Sequence, residues 1–446
     1  MTEPHELTLA QAAEAIRQRA LSSVEYTETL LRRIEALDPK LLAWATLAPE
    51  RALNAARRAD NAPVRGPLHG VPYGAKDIFD TAGIRTAAGS KVWAERVPDA
   101  DAAPIVRADV AGGVLVGKTH TTEFADGDPA PSFNPWNAEA TPGGSSTGSG
   151  VAVAARMVPW AFGSQTVGSV LRPASYNGIV GFKPTFGRIT RLGVIPMSRS
   201  CDHVGFLCRD VTDAALLLGA VAGYDPADPD CVPVPVDDYS AAIEAGGAPP
   251  RYGLVRSWFF AESDAETRLQ MEQVAHALAA AGAVVEEVDP GIDFEAAYAH
   301  HRVIQEAEMA IWHEPLYRGN EALYGPKISV YLENGFRHSG MRYAQAVGYR
   351  ADVRWLADQA LARYDVLLTP TASGPAPHDR TITGDTRFQS AWSYTGLPSI
   401  SIPVGLSGQG LPLGAQMAAP PFQEARLLRA ARFAERVLDV HLAPPV

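Results

Sequence analysis

The first forty residues alternate apolar and polar positions at helical spacing, and this pattern predicts two α-helices. In the second helix, Ser22 and Glu25 have the spacing of a capping box. Its apolar positions recur at helical intervals, at Tyr26, Leu30, Ile34 and Leu37. Asp38 and Pro39 follow, and they predict the end of this helix because proline cannot continue helical backbone hydrogen bonding.

Short apolar runs bounded by glycine, proline or aspartate predict β-strands further along the chain. These runs span 70–80, 111–119, 252–257, 283–289, 364–372 and 398–405. Helical stretches lie between them, and within 264–281 the side chains of Leu269, Val274 and Leu278 share one face. Strands that alternate with helices are typical of an α/β fold, so we expect a central mixed sheet flanked by helices on both faces.

The length of the chain leaves the number of domains open. At 446 residues it exceeds the usual size of one hydrophobic core, so one very large domain or two ordinary domains are possible. The proline- and aspartate-rich segment 224–239 is the candidate linker. A segment of about sixteen residues is short enough to be a surface excursion, and we therefore expect one domain over 1–446.

Composition excludes several classes of partner. The net charge of −11 disfavours a nucleic acid or an anionic membrane, because both attract basic surfaces. The N-terminus has no signal-peptide pattern, and no window of about eighteen residues is apolar enough for a membrane span. The three cysteines, Cys201, Cys208 and Cys231, are too few and too scattered for a disulfide framework or a metal site. A cytoplasmic location fits these features best.

Two serine-containing elements carry the candidate chemistry. The run TPGGSSTGSG surrounds Ser145 and leads directly into the apolar VAVAARMVPWAF, whereas a flexible linker should open into solvent. The second element, GSQTVGSVLRPA, places Ser169 after small residues. A nucleophile needs such a tight turn, because backbone N–H groups must converge on a developing oxyanion. The candidate donors are the amides of Thr166, Val167, Gly168 and Ser169.

A lysine completes the candidate constellation. Lys76 lies in the apolar, glycine-flanked stretch GVPYGAKD. If this side chain is buried, desolvation lowers its pKa and supplies neutral amine for general-base catalysis. The ordinary alternative is a surface lysine paired with a carboxylate. Two serines and a lysine can perform acyl transfer with no histidine and no metal.

The motifs resemble those of the amidase signature family. GGSSTGSGVAVAA is followed, 24 residues after Ser145, by VGSVLRPASYNGIVGFKPT around Ser169. GPLHGVPYGAKDIFDTAG resembles the segment that carries the family's lysine, and YTGLPSISIPVGLSGQGLPLGAQ resembles its C-terminal region. The resemblance covers most of the chain, with its motifs in the family's order.

The resemblance implies a role for each residue. Ser169 is expected to be the nucleophile that forms an acyl-enzyme, and Ser145, after a cis peptide bond from Gly144, is expected to relay protons. Lys76 is expected to be the base and then the acid for the departing amine. Water would then release the carboxylate. The family chemistry requires no cofactor and no metal, and family habit favours a homodimer.

Three positions depart from the commonest family motif. Gln165 stands where many members have an acidic residue, Val167 replaces a frequent glycine, and Arg172 follows Ser169 at three positions instead of two. We expect Arg172 to be structural and to pair near the site. The departures leave the substrate open among aliphatic, aryl and amino-acid amides.

The sequence therefore predicts an amidohydrolase that converts a small linear carboxylic amide to carboxylate and ammonia or amine. An alternative with the same motifs is the glutamine-hydrolysing component of a tRNA-dependent amidotransferase. Gln165, the wording GSVLRPA and the shorter chain favour the first interpretation. A catalytically silent protein of this fold is disfavoured, because lysine and both serines are present.

An alternative from another class is a phosphate-binding loop. The segment GGVLVGKT, from Gly112 to Thr119, satisfies the pattern G-x-x-x-x-G-K-S/T. That loop must expose backbone amides to phosphate, yet Val114, Leu115 and Val116 are apolar and typical of a strand. The segment therefore favours a buried strand over a nucleotide-binding site.

A cluster of histidines and acidic residues, HHRVIQEAEMAIWHE, raises the possibility of a metal site. It includes His300, His301, Glu306, Glu308 and His313. No metal-binding pair of the HExxH type occurs, so a solvent-facing or pocket-lining helix is favoured. Aromatic residues in the same region suggest an acyl-binding pocket, namely Trp312, Tyr317 and Tyr324.

Overall fold

A mixed sheet of eleven strands runs through the computed structural model, which describes residues 3–446. The strands are β1 Trp44–Leu47, β2 Pro72–Lys76, β3 Val114–Thr119, β4 Ala161–Gln165, β5 Val180–Lys183, β6 His203–Cys208, β7 Arg251–Leu254, β8 Val284–Glu287, β9 Val366–Pro370, β10 Ser399–Leu406 and β11 Pro412–Ala418. Their order is β1-β3-β2-β4-β6-β5-β10-β11-β9-β7-β8. The pairs β2–β3, β2–β4, β7–β8 and β7–β9 are parallel, and the others are antiparallel.

Fifteen α-helices surround the sheet in the described part of the chain. They are α1 Leu9–Arg17, α2 Ser23–Leu41, α3 Pro49–Asp60, α4 Ala103–Val110, α5 Thr147–Ala154, α6 Leu171–Asn177, α7 Val211–Val221, α8 Tyr239–Glu244, α9 Ser257–Ala261, α10 Ala265–Ala280, α11 Phe294–Tyr317, α12 Pro326–Arg337, α13 Gly340–Leu361, α14 Arg387–Tyr394 and α15 Glu424–Leu438. The expected α/β class with a central mixed sheet is confirmed, and each of the six predicted strand runs contains a strand. No helix within residues 3–446 is both long and apolar enough to cross a bilayer.

The second N-terminal helix begins where the sequence predicts and ends later. The Ser22 Oγ accepts a hydrogen bond from the Glu25 backbone N–H at 3.0 Å, so the start of α2 is correct. The predicted end at Asp38 and Pro39 is wrong, because the helix continues to Leu41 with Pro39 in its last turn. Only one backbone donor is lost there. The Asp38 carboxylate compensates by accepting the N–H groups of the two residues that follow Leu42, at 2.6 and 3.3 Å.

One face prediction within 264–281 needs correction. Helix α10 forms there, with the Asp264 side chain accepting its first free N–H, and Val274 and Leu278 are buried as expected. Leu269, however, is 60% exposed. Met271 is buried in its place, because spacings of three and four residues from 271 reach Val274 and Leu278 directly. The apolar stripe is therefore shifted by two positions at its N-terminal end.

The candidate linker 224–239 connects α7 to α8 without a strand and packs against the loop that follows β5. The Asp228 carboxylate accepts the backbone N–H of Arg191 at 2.8 Å, and the Arg188 guanidinium donates to the Val234 carbonyl at 3.0 Å. These contacts fit a surface excursion. The assignment of 1–446 to one domain stays a prediction.

The phosphate-loop interpretation is wrong. Every residue of β3 is buried, and the strand lies between β1 and β2 in the sheet. The Lys118 Nζ donates to the Thr86 Oγ1 at 2.7 Å and lies 3.6 Å from the Asp77 carboxylate. A lysine enclosed by protein partners is not available to a phosphate.

Helix α5 packs against the sheet at very short range. A Cβ atom on Gly148 would overlap the backbone carbonyl of Ala43 and the backbone nitrogen of His120. The Gly148 N–H also donates to the His120 carbonyl at 2.8 Å. The Gly/Ser-rich run is therefore part of the packed interior, and the flexible-linker interpretation is wrong.

We expect Gly148→Ala to lower the free energy of unfolding by about 1–3 kcal/mol, because backbone atoms must move to accept the methyl group. Gly219 in α7 is the matched control, since it is exposed and no atom lies within 4 Å of its built Cβ. Gly219→Ala should raise the free energy of unfolding by about 0.5–1 kcal/mol. Urea unfolding followed by circular dichroism measures both, and equal effects would contradict the packing argument.

Candidate active site

Three chain segments meet below one cleft. Strand β2 ends at Lys76, the turn before α5 carries Ser145, and the turn before α6 carries Ser169. The Lys76 Nζ donates a hydrogen bond to the Ser145 Oγ at 2.6 Å. Ser145 and Ser169 both line the cleft, which has a volume of about 230 Å³. The fold thus brings together the three side chains that the motifs predict.

Backbone contacts join the two serine segments. The peptide bond between Gly144 and Ser145 is cis, as the family resemblance implies. The Ser146 N–H donates to the carbonyl of Ser169 at 3.2 Å, and the Thr122 N–H donates to the carbonyl of Ser145 at 3.3 Å. These bonds fix both serines relative to one another.

The Lys76 amine is fully buried. Burial lowers the pKa of Lys76 to about 7, because the charged form loses its hydration, and the nearby Asp202 carboxylate partly opposes this shift. A substantial fraction of the amine is therefore neutral at neutral pH. The expected burial of Lys76 is confirmed, and the surface-lysine alternative is wrong.

Two neighbours of the lysine were missed in the sequence. The Lys76 Nζ donates a second hydrogen bond, to the Ser164 Oγ at 2.8 Å. The Asp202 carboxylate accepts the Thr166 hydroxyl at 2.5 Å and the backbone N–H groups of Met197 and Ser198 at 2.8 and 2.9 Å. Ser164 lies within the quoted motif and its place at the end of a strand was a usable signal. Asp202 is distant in sequence and carried none.

The loop between β4 and α6 holds the candidate oxyanion donors. Among residues 3–446, the backbone N–H groups of Val167, Gly168 and Ser169 have no acceptor. The Val167 carbonyl accepts the Ser393 hydroxyl at 2.7 Å, which fixes the loop from the other side. Free N–H groups beside a serine are what an oxyanion requires. The assignment of these amides and of Thr166 to an oxyanion hole stays a prediction.

Gln165 has a defined part in this loop. Its side-chain carbonyl accepts the N–H groups of Val170 and Leu171 at 2.8 and 3.0 Å, and its amide donates to the Ser393 Oγ at 3.0 Å. These acceptors satisfy the first turn of α6 and leave the preceding amides free. A neutral amide therefore performs the bridging that an acidic side chain could perform only on the acceptor side.

Arg172 pairs beside the site, as the sequence predicts. Its Nη2 donates to the Gly144 carbonyl at 2.6 Å and to the Thr383 hydroxyl at 3.0 Å. The side chain is buried and lines the cleft, while its Nε and Nη1 have no hydrogen-bond partner in the described part of the chain. It therefore holds the backbone next to Ser145 and also presents positive charge to the cleft.

One face of α11 forms the opposite wall of the cleft, through Tyr298, Arg302 and Gln305. Arg302 pairs with Glu306 at 2.7 Å, and the Gln305 amide donates to the Asp126 carboxylate at 3.1 Å. The charged side chains that line the cleft are Asp126, Arg172, Arg302, Lys327 and Asp385. Both signs of charge therefore face one small volume.

The aromatic residues proposed for an acyl pocket lie elsewhere. Trp312 packs edge-on against Trp93 and Phe124, and Tyr324 stacks on Phe124. Trp312 is seven residues beyond Gln305, about 10 Å further along the helix, which carries it past the cleft. The sequence thus selected the correct helix as pocket-lining and the wrong turn of it.

The histidine and carboxylate cluster is engaged by protein partners. His301 is hydrogen-bonded through Nδ1 to the Ser390 Oγ at 2.9 Å, and His313 through Nδ1 to the Tyr324 hydroxyl at 3.0 Å. Glu308 accepts the Tyr343 hydroxyl at 2.7 Å. Within residues 3–446, no three such side chains gather in a metal-binding arrangement.

Known proteins are similar to this one along the whole chain. The glutamine-hydrolysing-type relatives are A-type subunits of glutamyl-tRNA(Gln) amidotransferases. The one from Geobacter sp. (strain M21) is 38% identical, with 99% of each chain covered. Its counterpart from Azotobacter vinelandii (strain DJ / ATCC BAA-1303) is 37% identical at the same coverage.

Solved structures agree with the fold. The peptide amidase from Stenotrophomonas maltophilia superposes with a TM-score of 0.87 at 32% identity, covering 98% of each chain. The 6-aminohexanoate cyclic dimer hydrolase superposes with a TM-score of 0.87 at 27% identity, covering 100% of this chain and 99% of that one. The sequence model of the family described as Amidase matches residues 25–428. The chain therefore belongs to the amidase family, the amidase signature family that its motifs resemble.

Proposed function

We propose that this chain hydrolyses a carboxylic amide through an acyl-enzyme on Ser169. The observation that carries the proposal is the buried Lys76 amine, which is hydrogen-bonded to Ser145 at the base of the cleft that Ser169 lines. A buried amine with a pKa of about 7 can take a proton and return it within one catalytic cycle. Those two transfers are what amide hydrolysis requires of a general base.

In the first step, the Ser169 hydroxyl attacks the amide carbonyl. Its proton passes to the Ser145 oxygen, while the Ser145 proton passes to the Lys76 amine, which becomes ammonium. The negative charge that develops on the carbonyl oxygen is stabilised by the free N–H groups of Val167, Gly168 and Ser169. A tetrahedral intermediate results.

In the second step, the ammonium of Lys76 returns its proton through Ser145 to the leaving nitrogen. The carbon–nitrogen bond breaks, ammonia or an amine departs, and an ester to Ser169 remains. Water attacks this ester in the same manner, with Lys76 again taking and returning the proton. The products are a carboxylate and the free Ser169 hydroxyl.

A second and more specific candidate is the glutamine-hydrolysing component of a tRNA-dependent amidotransferase. The 38% identity over 99% of both chains supports this candidate better than the free-standing amidase that the motifs alone favoured. The cleft also suits a zwitterion, since Arg302 and Lys327 could meet an α-carboxylate, and Asp126 and Asp385 an α-ammonium group. On this candidate the partners are the other subunits, in place of the expected homodimer. The cytoplasmic location stays a prediction.

We expect Ser169→Ala to lower amide hydrolysis by about 10³-fold or more while leaving the fold intact, because no acyl-enzyme can form. Ammonia and amine release from a panel of amides measures the loss, and mass spectrometry of the quenched wild type detects the acyl adduct. Ser240→Ala is the control, since Ser240 is exposed and distant in the chain. Retained turnover in Ser169→Ala would refute the assignment.

The pH profile tests the role of Lys76. Because the base must be neutral, kcat/KM should rise with pH through about 7 and fall tenfold per pH unit below it. Asp202→Asn should move this limb to lower pH, because the Asp202 carboxylate raises the pKa of Lys76. Asp439→Asn, at an exposed position, should leave the limb in place. A profile that is flat between pH 5 and about 9 would exclude Lys76 as the base.

The two candidates differ in substrate and in dependence on other subunits. The second predicts release of ammonia from glutamine that rises on adding the remaining amidotransferase subunits. It also predicts that Arg302→Gln lowers the ratio of kcat/KM for glutamine to that for butyramide by about tenfold, through loss of one charged contact. Glutamate production and ammonia release measure both. A free chain that hydrolyses butyramide better than glutamine would favour the first candidate.

A further inference from the structure

A second cavity of about 350 Å³ lies against the catalytic cleft. Its apolar lining is formed by Ile78, Val194, Ile195, Pro196, Met197 and Val204. The two cavities share Ala125 and Met197 as walls. Small-molecule sites usually have about 300–1,000 Å³, and the cleft alone falls below that range. The adjoining cavity therefore offers the additional space that a substrate needs.

The second cavity borders the proton-relay side of the site. Ser164 lines it, and the Ser164 Oγ accepts a hydrogen bond from the Lys76 Nζ at 2.8 Å. Asp202 lines it as well and is bonded to Thr166, which faces the cleft. In amide hydrolysis the proton donor must lie within hydrogen-bond reach of the leaving nitrogen. The amine side of a bound amide therefore faces this cavity.

The charges around the cavity are already paired. Arg191 and Arg199 both contact the Asp230 carboxylate, at 2.8 and 3.0 Å, and Asp228 accepts the Arg191 backbone N–H at 2.8 Å. A charged occupant would have to break one of these pairs or remain unpaired among apolar side chains. The lining therefore selects an uncharged, apolar group.

We propose that this cavity is a subsite for an apolar substituent on the amine side of the substrate, so that the chain accepts secondary amides such as anilides. The inference rests on the proposed acyl-serine hydrolysis. When the carbon–nitrogen bond breaks, the nitrogen takes the proton that Lys76 returns through Ser145. The neutral aryl- or alkylamine then leaves from the cavity, and the acyl group stays on Ser169.

The first test compares an anilide and a primary amide with the same acyl group. Val194→Trp fills the cavity and should lower the ratio of kcat/KM for the anilide to that for the primary amide by about tenfold or more. Hydrolysis of the shared acyl-enzyme should keep its rate constant, because the amine has already departed. Val236→Trp, at a 41% exposed position outside the cavity, should keep the wild-type ratio. Thermal unfolding of each variant verifies folding.

The second test does not depend on turnover. Aniline, which is uncharged at neutral pH, should bind Ser169→Ala and lose that binding when Val194→Trp is added, as followed by ligand-detected NMR. An unchanged kcat/KM ratio, or aniline binding that survives Val194→Trp, would overturn the subsite. Binding that Val194→Trp abolishes, in a wild type that hydrolyses no amide, would support the subsite and refute the acyl-serine proposal instead.

Discussion

The arrangement of this site depends on one buried amine held by two serine hydroxyls. Lys76 has no solvent contact, and its hydrogen bonds to Ser145 and Ser164 replace only part of its hydration. The charged form is therefore destabilised, and the amine is poised to exchange protons near neutral pH. The end of β2, the turn before α5 and the end of β4 must all meet at this atom. Their convergence fixes the first half of the sheet.

Close packing around the amine explains why the neighbouring segment is built from glycine and serine. Gly143 has a φ of +77°, and a Cβ there would meet the backbone of Pro173 at 2.9 Å. Gly148 lies directly on the backbone of Ala43 and His120. Larger residues would push α5 away from the sheet, and Ser145 with it. The composition that suggests a flexible linker is instead a requirement of close backbone approach.

The sequence was informative where chemistry lies within one motif and uninformative where it depends on distant segments. Lys76, Ser145 and Ser169 each stand in a recognisable run, and hydrophobic periodicity found the strands. Asp202 and Arg302 reach the site from the start of β6 and from α11, and no local pattern shows which face of those elements meets the cleft. The end of α2 was missed for a related reason, since the carboxylate before Pro39 supplies acceptors that the proline alone would not suggest.

The two compartments beside Ser169 constrain the substrate in different ways and are compatible with each other. The cleft presents both signs of charge, through Arg302 and Asp126, whereas the adjoining cavity is apolar with its rim charges paired. An amide with a polar or zwitterionic acyl part and an apolar amine part would fill both. Glutamine would fill the first and leave the second to water, which an apolar lining binds weakly. Shape and polarity on the amine side therefore separate the two candidate functions.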